Sequence, residues 1–138
     1  MIELLINFKE MREYAKASKL AFKDAIVRYY KEVGERQGFT TSENSSVIRN
    51  TINYGKVDLV WIEPNTIFCL EFGVLEDIYK HFFKVMQMKP SMIVFILSGN
   101  SKCSPEKVKE ILVKTPELEE IRKNAVIIDV TEGKRVYP

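Results

Sequence analysis

Lys56-Val57-Asp58-Leu59-Val60-Trp61-Ile62-Glu63-Pro64-Asn65-Thr66-Ile67-Phe68-Cys69-Leu70-Glu71-Phe72-Gly73 is apolar at odd and even positions alike, on both sides of a short polar break. That pattern belongs to two strands covered on both faces. The break, Glu63-Pro64-Asn65-Thr66, reads as a turn, because proline presets φ at its second position and asparagine is tolerated at its third. With those residues as the loop, Ile62 faces Ile67. Asp58 then falls directly opposite Glu71, on the same side of the sheet. Directly opposed Cβ atoms lie about 4.5–5.5 Å apart, and like charges there are destabilising. Two ionised carboxylates withdrawn from water need compensation, which a divalent cation would supply. Asp58 and Glu71 are therefore the first candidate site residues.

Helical spacing begins directly after Gly73. Leu75, Ile78, Tyr79, Phe82, Phe83 and Met86 predict an amphipathic helix reaching about Lys89, where Pro90 stops it. Ser91 to Leu97 is a continuous apolar run, read as a central buried strand. Ser104-Pro105-Glu106 starts a further helix, with serine at the cap and proline in the first turn. Its apolar face runs through Val108, Ile111, Leu112, Leu118 and Ile121, interrupted near Pro116. Ala125 to Val130 predicts a last strand.

Upstream, Asn7 and Glu10 have the spacing of a capping box. An apolar stripe follows through Met11, Tyr14, Ala15, Leu20, Ala25, Val27, Tyr30 and Val33, and Ser18 leaves open one helix or two. Gly34 and Gly38 offer stops. Phe39-Thr40-Thr41 begins a short strand, and the polar stretch from Ser42 to Tyr54 reads as a loop. The order α-β-β-β-α-β-α-β predicts an α/β fold, a single-domain mixed β-sheet flanked by helices over residues 1–138. Residues 1–18 form an N-terminal helical extension of that domain.

Hydrophobic content of 46% with 29% charged residues is ordinary for a water-soluble domain. The 21 basic residues are offset by 19 acidic ones, so any affinity for a polyanion must come from local clustering. Cys69 and Cys103 are not spaced as CxxC and, with His81 as the lone histidine, do not make a structural zinc site. Cys69 reads as a small buried hydrophobe, and a reducing, cytoplasmic location is expected. No apolar run approaches about 18 residues, so no membrane span is expected. Met1-Ile2-Glu3 places an acid where a signal peptide carries bases.

The element order, with Asp58 in the second strand and Glu71 in the third, resembles the PD-(D/E)XK nuclease superfamily, the fold of restriction endonucleases and archaeal Holliday-junction resolvases. The likeness spans roughly Ala21 to Val130. It implies a restriction-endonuclease-like core, an endonuclease activity on DNA, Mg²⁺ (or Mn²⁺) as cofactor, no nucleotide cofactor, and a homodimer where both strands of a duplex are cut. Asp58 matches the Asp of the motif and Glu71 its second acid, while Gly73 stands at the lysine position. The carbonyl of Phe72 matches a backbone metal ligand, and Glu32 or Glu35 matches an acid that many members carry on the first helix.

Lys56 faces Gly73 in the same register and is the candidate replacement for the missing lysine. Arg49, Lys80 and Lys84 are candidates for phosphate contact. A Lys56–Glu71 ion pair would instead make the acids structural. Loss of the motif lysine favours a second reading, a catalytically degenerate nuclease fold serving as a nucleic-acid-binding or protein-interaction module.

Overall fold

The computed structural model describes all residues, 1–138. One six-stranded sheet runs in sequence order: β1 (Thr41–Arg49), β2 (Ile52–Trp61), β3 (Thr66–Leu70), β4 (Met92–Leu97), β5 (Ala125–Asp129) and β6 (Lys134–Tyr137). The first three strands form an antiparallel meander, β3 to β5 are parallel, and β6 returns antiparallel along β5.

Parallel neighbours require crossovers. The first is α3 (Asp77–Met86); the second is α4 (Pro105–Lys114), a 3-10 turn at Pro116–Leu118 and α5 (Glu119–Asn124). Crossovers of one hand between strands in sequential order fall on one side of a sheet. Ile78, Phe82, Val85, Val108, Leu112 and Ile121 accordingly pack on Ile93, Phe95 and Leu97. On the other side, α1 (Phe8–Ala17) and α2 (Phe22–Arg36) bury Met11, Ile26, Tyr30 and Val33 against Trp61, Phe68, Val94 and Ile96. The predicted α/β class with a mixed sheet is the observed one. The extension at residues 1–18 joins this second layer: Leu5 is buried, and its carbonyl accepts a hydrogen bond of 2.7 Å from the Tyr30 hydroxyl.

Several boundaries differ from the sequence reading. The polar stretch after Thr41 is not a loop but β1 and the start of β2, joined at a tight hairpin. Asn50 (φ 51°) and Thr51 (φ 68°) both take positive φ at its tip, and Arg49 pairs with Ile52. Two positive-φ residues give the twist that matches antiparallel strands. Only Val47 of β1 is fully buried, because β1 is an edge strand, and so the apolar alternation was missing. Gly34 does not stop its helix. Gly38 (φ 87°) does: Phe39 N–H reaches the Gly34 carbonyl at 3.0 Å across it. Helix α1 ends before Ser18, so there are two N-terminal helices, and α3 ends at Met86 rather than Lys89.

Asp129 ends β5 with its carboxylate buried. Its Oδ1 accepts the backbone N–H groups of Gly99 (3.0 Å), Thr131 (3.0 Å) and Glu132 (3.1 Å), tying the loop after β4 to the turn before β6. Removing a charged acceptor leaves these donors unpaired. Asp129→Ala is expected to lower the unfolding free energy by about 3 kcal/mol in a urea titration. A loss below about 1 kcal/mol would show that water takes over the role.

Candidate functional site

The hairpin between β2 and β3 is tighter than the sequence reading placed it. Its turn is Ile62-Glu63-Pro64-Asn65, closed by Asn65 N–H to the Ile62 carbonyl at 3.0 Å. Trp61 therefore faces Thr66, and Val60 faces Ile67. Asn65 adopts φ 48°, and Ile62 N–H is held by the Thr40 carbonyl at 2.9 Å, which places Ile62 in the turn and leaves it exposed. The expected Asp58–Glu71 opposition does not form. The alternation of β2 breaks at Asp58, with Val57 and Leu59 in opposite core layers, yet both acids line one opening.

What separates them is a fork. The β2–β3 ladder ends at Leu59–Phe68, while β3 stays on β4 through Leu70–Ile96 and the Glu71 N–H bonds the Ile96 carbonyl at 3.1 Å. At the fork the Asp58 side chain takes the Leu70 N–H at 2.8 Å, in place of a β2 carbonyl. On the opposite side of β2, Asn44 has φ 48°, and the ladder passes from Glu43–Leu59 to Ser45–Val57 without an Asn44–Asp58 pair. An open polar cleft of about 330 Å³ lies at this fork.

Asp58, Glu71 and Asp77 line the cleft together with Lys23, Lys56, Lys80, Lys84, His81 and Asn44. Lys23, in the first turn of α2, places Nζ 3.3 Å from Asp58 Oδ1. Glu71 Oε2 accepts the Gly73 N–H at 2.9 Å, and Oε1 meets His81 Nε2 at 3.0 Å. Lys84 Nζ donates to the Lys56 carbonyl at 2.7 Å, and Lys80 pairs with Asp77 at 3.6 Å.

Four of the predicted residues lie where expected, around one cleft: Asp58, Glu71, Lys80 and Lys84. Lys56 also lines it, but the fork removes the predicted Lys56–Gly73 pairing. The Phe72 ring turns to the opposite layer, against Phe22. Arg49 lies at the far end of the β1–β2 hairpin, where it bonds Gln87 at 3.3 Å. Glu32 and Glu35 sit elsewhere, in a groove between α1 and α2 with Glu10, Tyr14, Tyr29 and Arg36. Desolvation and then the Glu32 carboxylate push the Tyr14 phenol up to about 12.

Sequence reasoning missed Lys23 and Asp77. Lys23 stands in the first turn of a helix, where a cation opposes the helix dipole, and that misplacement was its one readable signal. A side chain at position 73 would oblige the neighbouring carboxylates to swing aside. A Cβ there would lie 2.8 Å from Glu71 Oε2 and 3.3 Å from Asp77 Oδ2.

His81 is buried, with its Nδ1 lacking any partner. Burial, then the Lys84 charge, hold its pKa below the ordinary value, outweighing the Glu71 contact. The folded chain therefore binds fewer protons at His81 than the unfolded chain. Its contribution to stability is complete above the unfolded value of about 6.5 and declines as pH falls toward the folded value. Melting in metal-free buffer is expected to show this decline below about pH 6.5, and His81→Gln to flatten it. Equal pH profiles for the two proteins would contradict it.

Burial also raises both thiols, Cys103 to about 11. They are unpaired and inside the core, which leaves the cleft free of a thiolate nucleophile.

No three His, Cys, Asp or Glu side chains converge to form an all-protein metal cage. The carboxylates of the cleft come from separate elements, with His81 beside them. Magnesium takes one or two carboxylates and completes its shell with water and phosphate, a demand that Asp58 and Glu71 fit. No helix is long and apolar enough to cross a membrane. Comparisons of the chain with protein-family models, with curated proteins and with solved structures found no match.

Proposed function

We propose that this protein is a metal-dependent nuclease of PD-(D/E)XK type that hydrolyses phosphodiester bonds in DNA at the β2–β3 fork. The observation that supports the reading is the fork itself. It opens the sheet where Asp58 and Glu71 line one cleft, and α2 and α3 bring lysines to the same opening. Asp58 and Glu71 would hold Mg²⁺, which supplies an activated water and neutralises charge on the leaving oxygen. Lys23 would leave Asp58 for the substrate phosphate, taking the part of the lysine that Gly73 cannot provide. Lys56, Lys80 and Lys84 would hold the flanking backbone. A homodimer would place one such cleft on each strand of a duplex.

A second reading, a nucleic-acid-binding module without catalysis, draws on the satisfied state of the acids. Asp58 and Glu71 each already have two intramolecular partners. Mn²⁺ titration followed by calorimetry separates the readings before any activity is measured. Wild type is expected to bind Mn²⁺ and to gain thermal stability with it. Glu71→Gln should lose both effects. Equal binding by the variant would remove Glu71 from the metal site and favour the module.

A further inference from the structure

We infer that Lys23 couples metal loading at the fork to the arrival of a phosphate: its ammonium caps Asp58 until a phosphate group draws it off and leaves the carboxylate to the cation. This deepens the phosphodiester reading of the same cleft and rests on it.

The two acids of the cleft are held differently. Glu71 gives Oε2 to the Gly73 N–H at 2.9 Å and Oε1 to the His81 ring at 3.0 Å. Asp58 gives Oδ2 to the Leu70 N–H at 2.8 Å, and its other oxygen, Oδ1, meets the Lys23 ammonium at 3.3 Å. Mg²⁺ bonds a carboxylate oxygen at about 2.0–2.1 Å. An ammonium kept on the same oxygen would then stand within a few ångströms of the metal, like charge against like. Metal and Lys23 therefore compete for Asp58, and Glu71 has no such competitor.

The partners of this ion pair are unequally buried. The Asp58 side chain is 14% exposed and that of Lys23 is 50% exposed. A half-exposed ammonium on a flexible stem is readily rehydrated, whereas a largely buried carboxylate left alone is not. The exchange becomes favourable when each partner gains a new one, a metal for Asp58 and a phosphate for Lys23.

Lys23 has space for that exchange. It lines the cleft and, with Asn44 and Asp58, a second cavity of about 320 Å³ that reaches Arg28 along α2. Its ammonium can turn toward a phosphate in either cavity without leaving the opening. Such coupling is reciprocal, so phosphate tightens metal binding by the same factor by which metal tightens phosphate binding. A nuclease built this way holds its metal firmly with substrate in place and loosely without it.

Isothermal calorimetry with Mn²⁺, with and without inorganic phosphate and corrected for the manganese–phosphate complex, tests this with no nucleic acid present. Without phosphate, Lys23→Gln is expected to bind Mn²⁺ about tenfold more tightly than wild type. Phosphate should tighten wild-type binding at least about tenfold, and that of Lys23→Gln no more than about threefold, because only direct contact between phosphate and metal remains. Lys23→Arg should restore the wild-type pattern. Arg28→Gln removes a charge from the same helix, where Arg28 pairs with Glu43 at 3.1 Å, and should leave Mn²⁺ affinity within about twofold of wild type. A melting transition verifies the fold of each variant. Equal Mn²⁺ affinity of Lys23→Gln and wild type, or an equal gain from phosphate in both, would overturn the inference and leave the metal site standing. An equal rise in Lys23→Gln and Arg28→Gln would reduce Lys23 to a distant charge and overturn it too. No Mn²⁺ binding by any of these proteins, with or without phosphate, would remove the metal site as well.

Discussion

Gly34→Ala is expected to destabilise the protein by about 3 kcal/mol, although alanine is the better helix former by about 1 kcal/mol. Gly34 lies inside α2, where a Cβ would come within 2.3 Å of Trp61 Nε1 and 2.6 Å of its Cδ1. Real side chains do not approach so closely, so either the indole or the helix must move. The indole has nowhere to go. It is fully buried, its Nε1–H donates to the Tyr30 carbonyl at 3.0 Å, and Phe68 packs edge-on at 4.7 Å with Phe39 at 5.5 Å. Moving the helix instead would part α2, which carries Lys23 to Asp58, from the sheet. Chemical denaturation measures the loss, and a double-mutant cycle assigns it. Trp61→Phe, itself destabilising, should reduce the further cost of Gly34→Ala by more than about 1 kcal/mol. Additive effects would mean that the crowding lies elsewhere.

The same contact explains part of what the sequence could and could not tell. Covered strands were readable because β2 to β5 are apolar on both faces, and helices because α3 and α4 keep one stripe. Gly34 read as a helix stop because nothing local distinguishes a glycine that ends a helix from one that admits a distant ring. The edge strand β1 was unreadable for a related reason. Its Ser, Asn and Thr residues meet solvent on both faces, and its pairing is supplied by β2 rather than by apolar alternation.

Site residues followed the same rule. Asp58 and Glu71 stood out because acids are conspicuous in apolar strands. Their register was misplaced by two residues, since Asn65 and the Thr40 carbonyl close the turn earlier than Pro64 alone suggests. Both acids line one opening all the same, because the fork lies between them. Lys23 showed only the weak sign of a cation in a first helical turn, since its partner lies 35 positions away in the chain, and Glu32 was misassigned because a helix places acids on several faces. Neither follows from spacing along a helix without knowing which face meets the fork.

Asp58→Ala and Glu71→Ala are expected to have the largest effects on function. Each removes a donor that would fix Mg²⁺ against the scissile phosphate, and loss of one well-placed electrostatic group typically costs a hundredfold to about a thousandfold in rate. Each variant should also lose some stability, because the Leu70 N–H loses Asp58 and the Gly73 N–H loses Glu71. A variant that is inactive yet still fully folded at the assay temperature separates a functional acid from a structural one. Lys23→Ala should lower the rate less than either acid variant, and Lys56→Ala less again, because the fork leaves Lys56 at the rim.

The most direct measurement is cleavage of DNA in Mg²⁺ or Mn²⁺ by wild type, Asp58→Ala and Glu71→Ala, each verified as folded by its melting transition. Metal-dependent cleavage by wild type, lost in both variants while the fold persists, is the result predicted for a phosphodiester site at the β2–β3 fork. Cleavage that survives both substitutions, or wild type that binds no metal and cuts nothing, would contradict it.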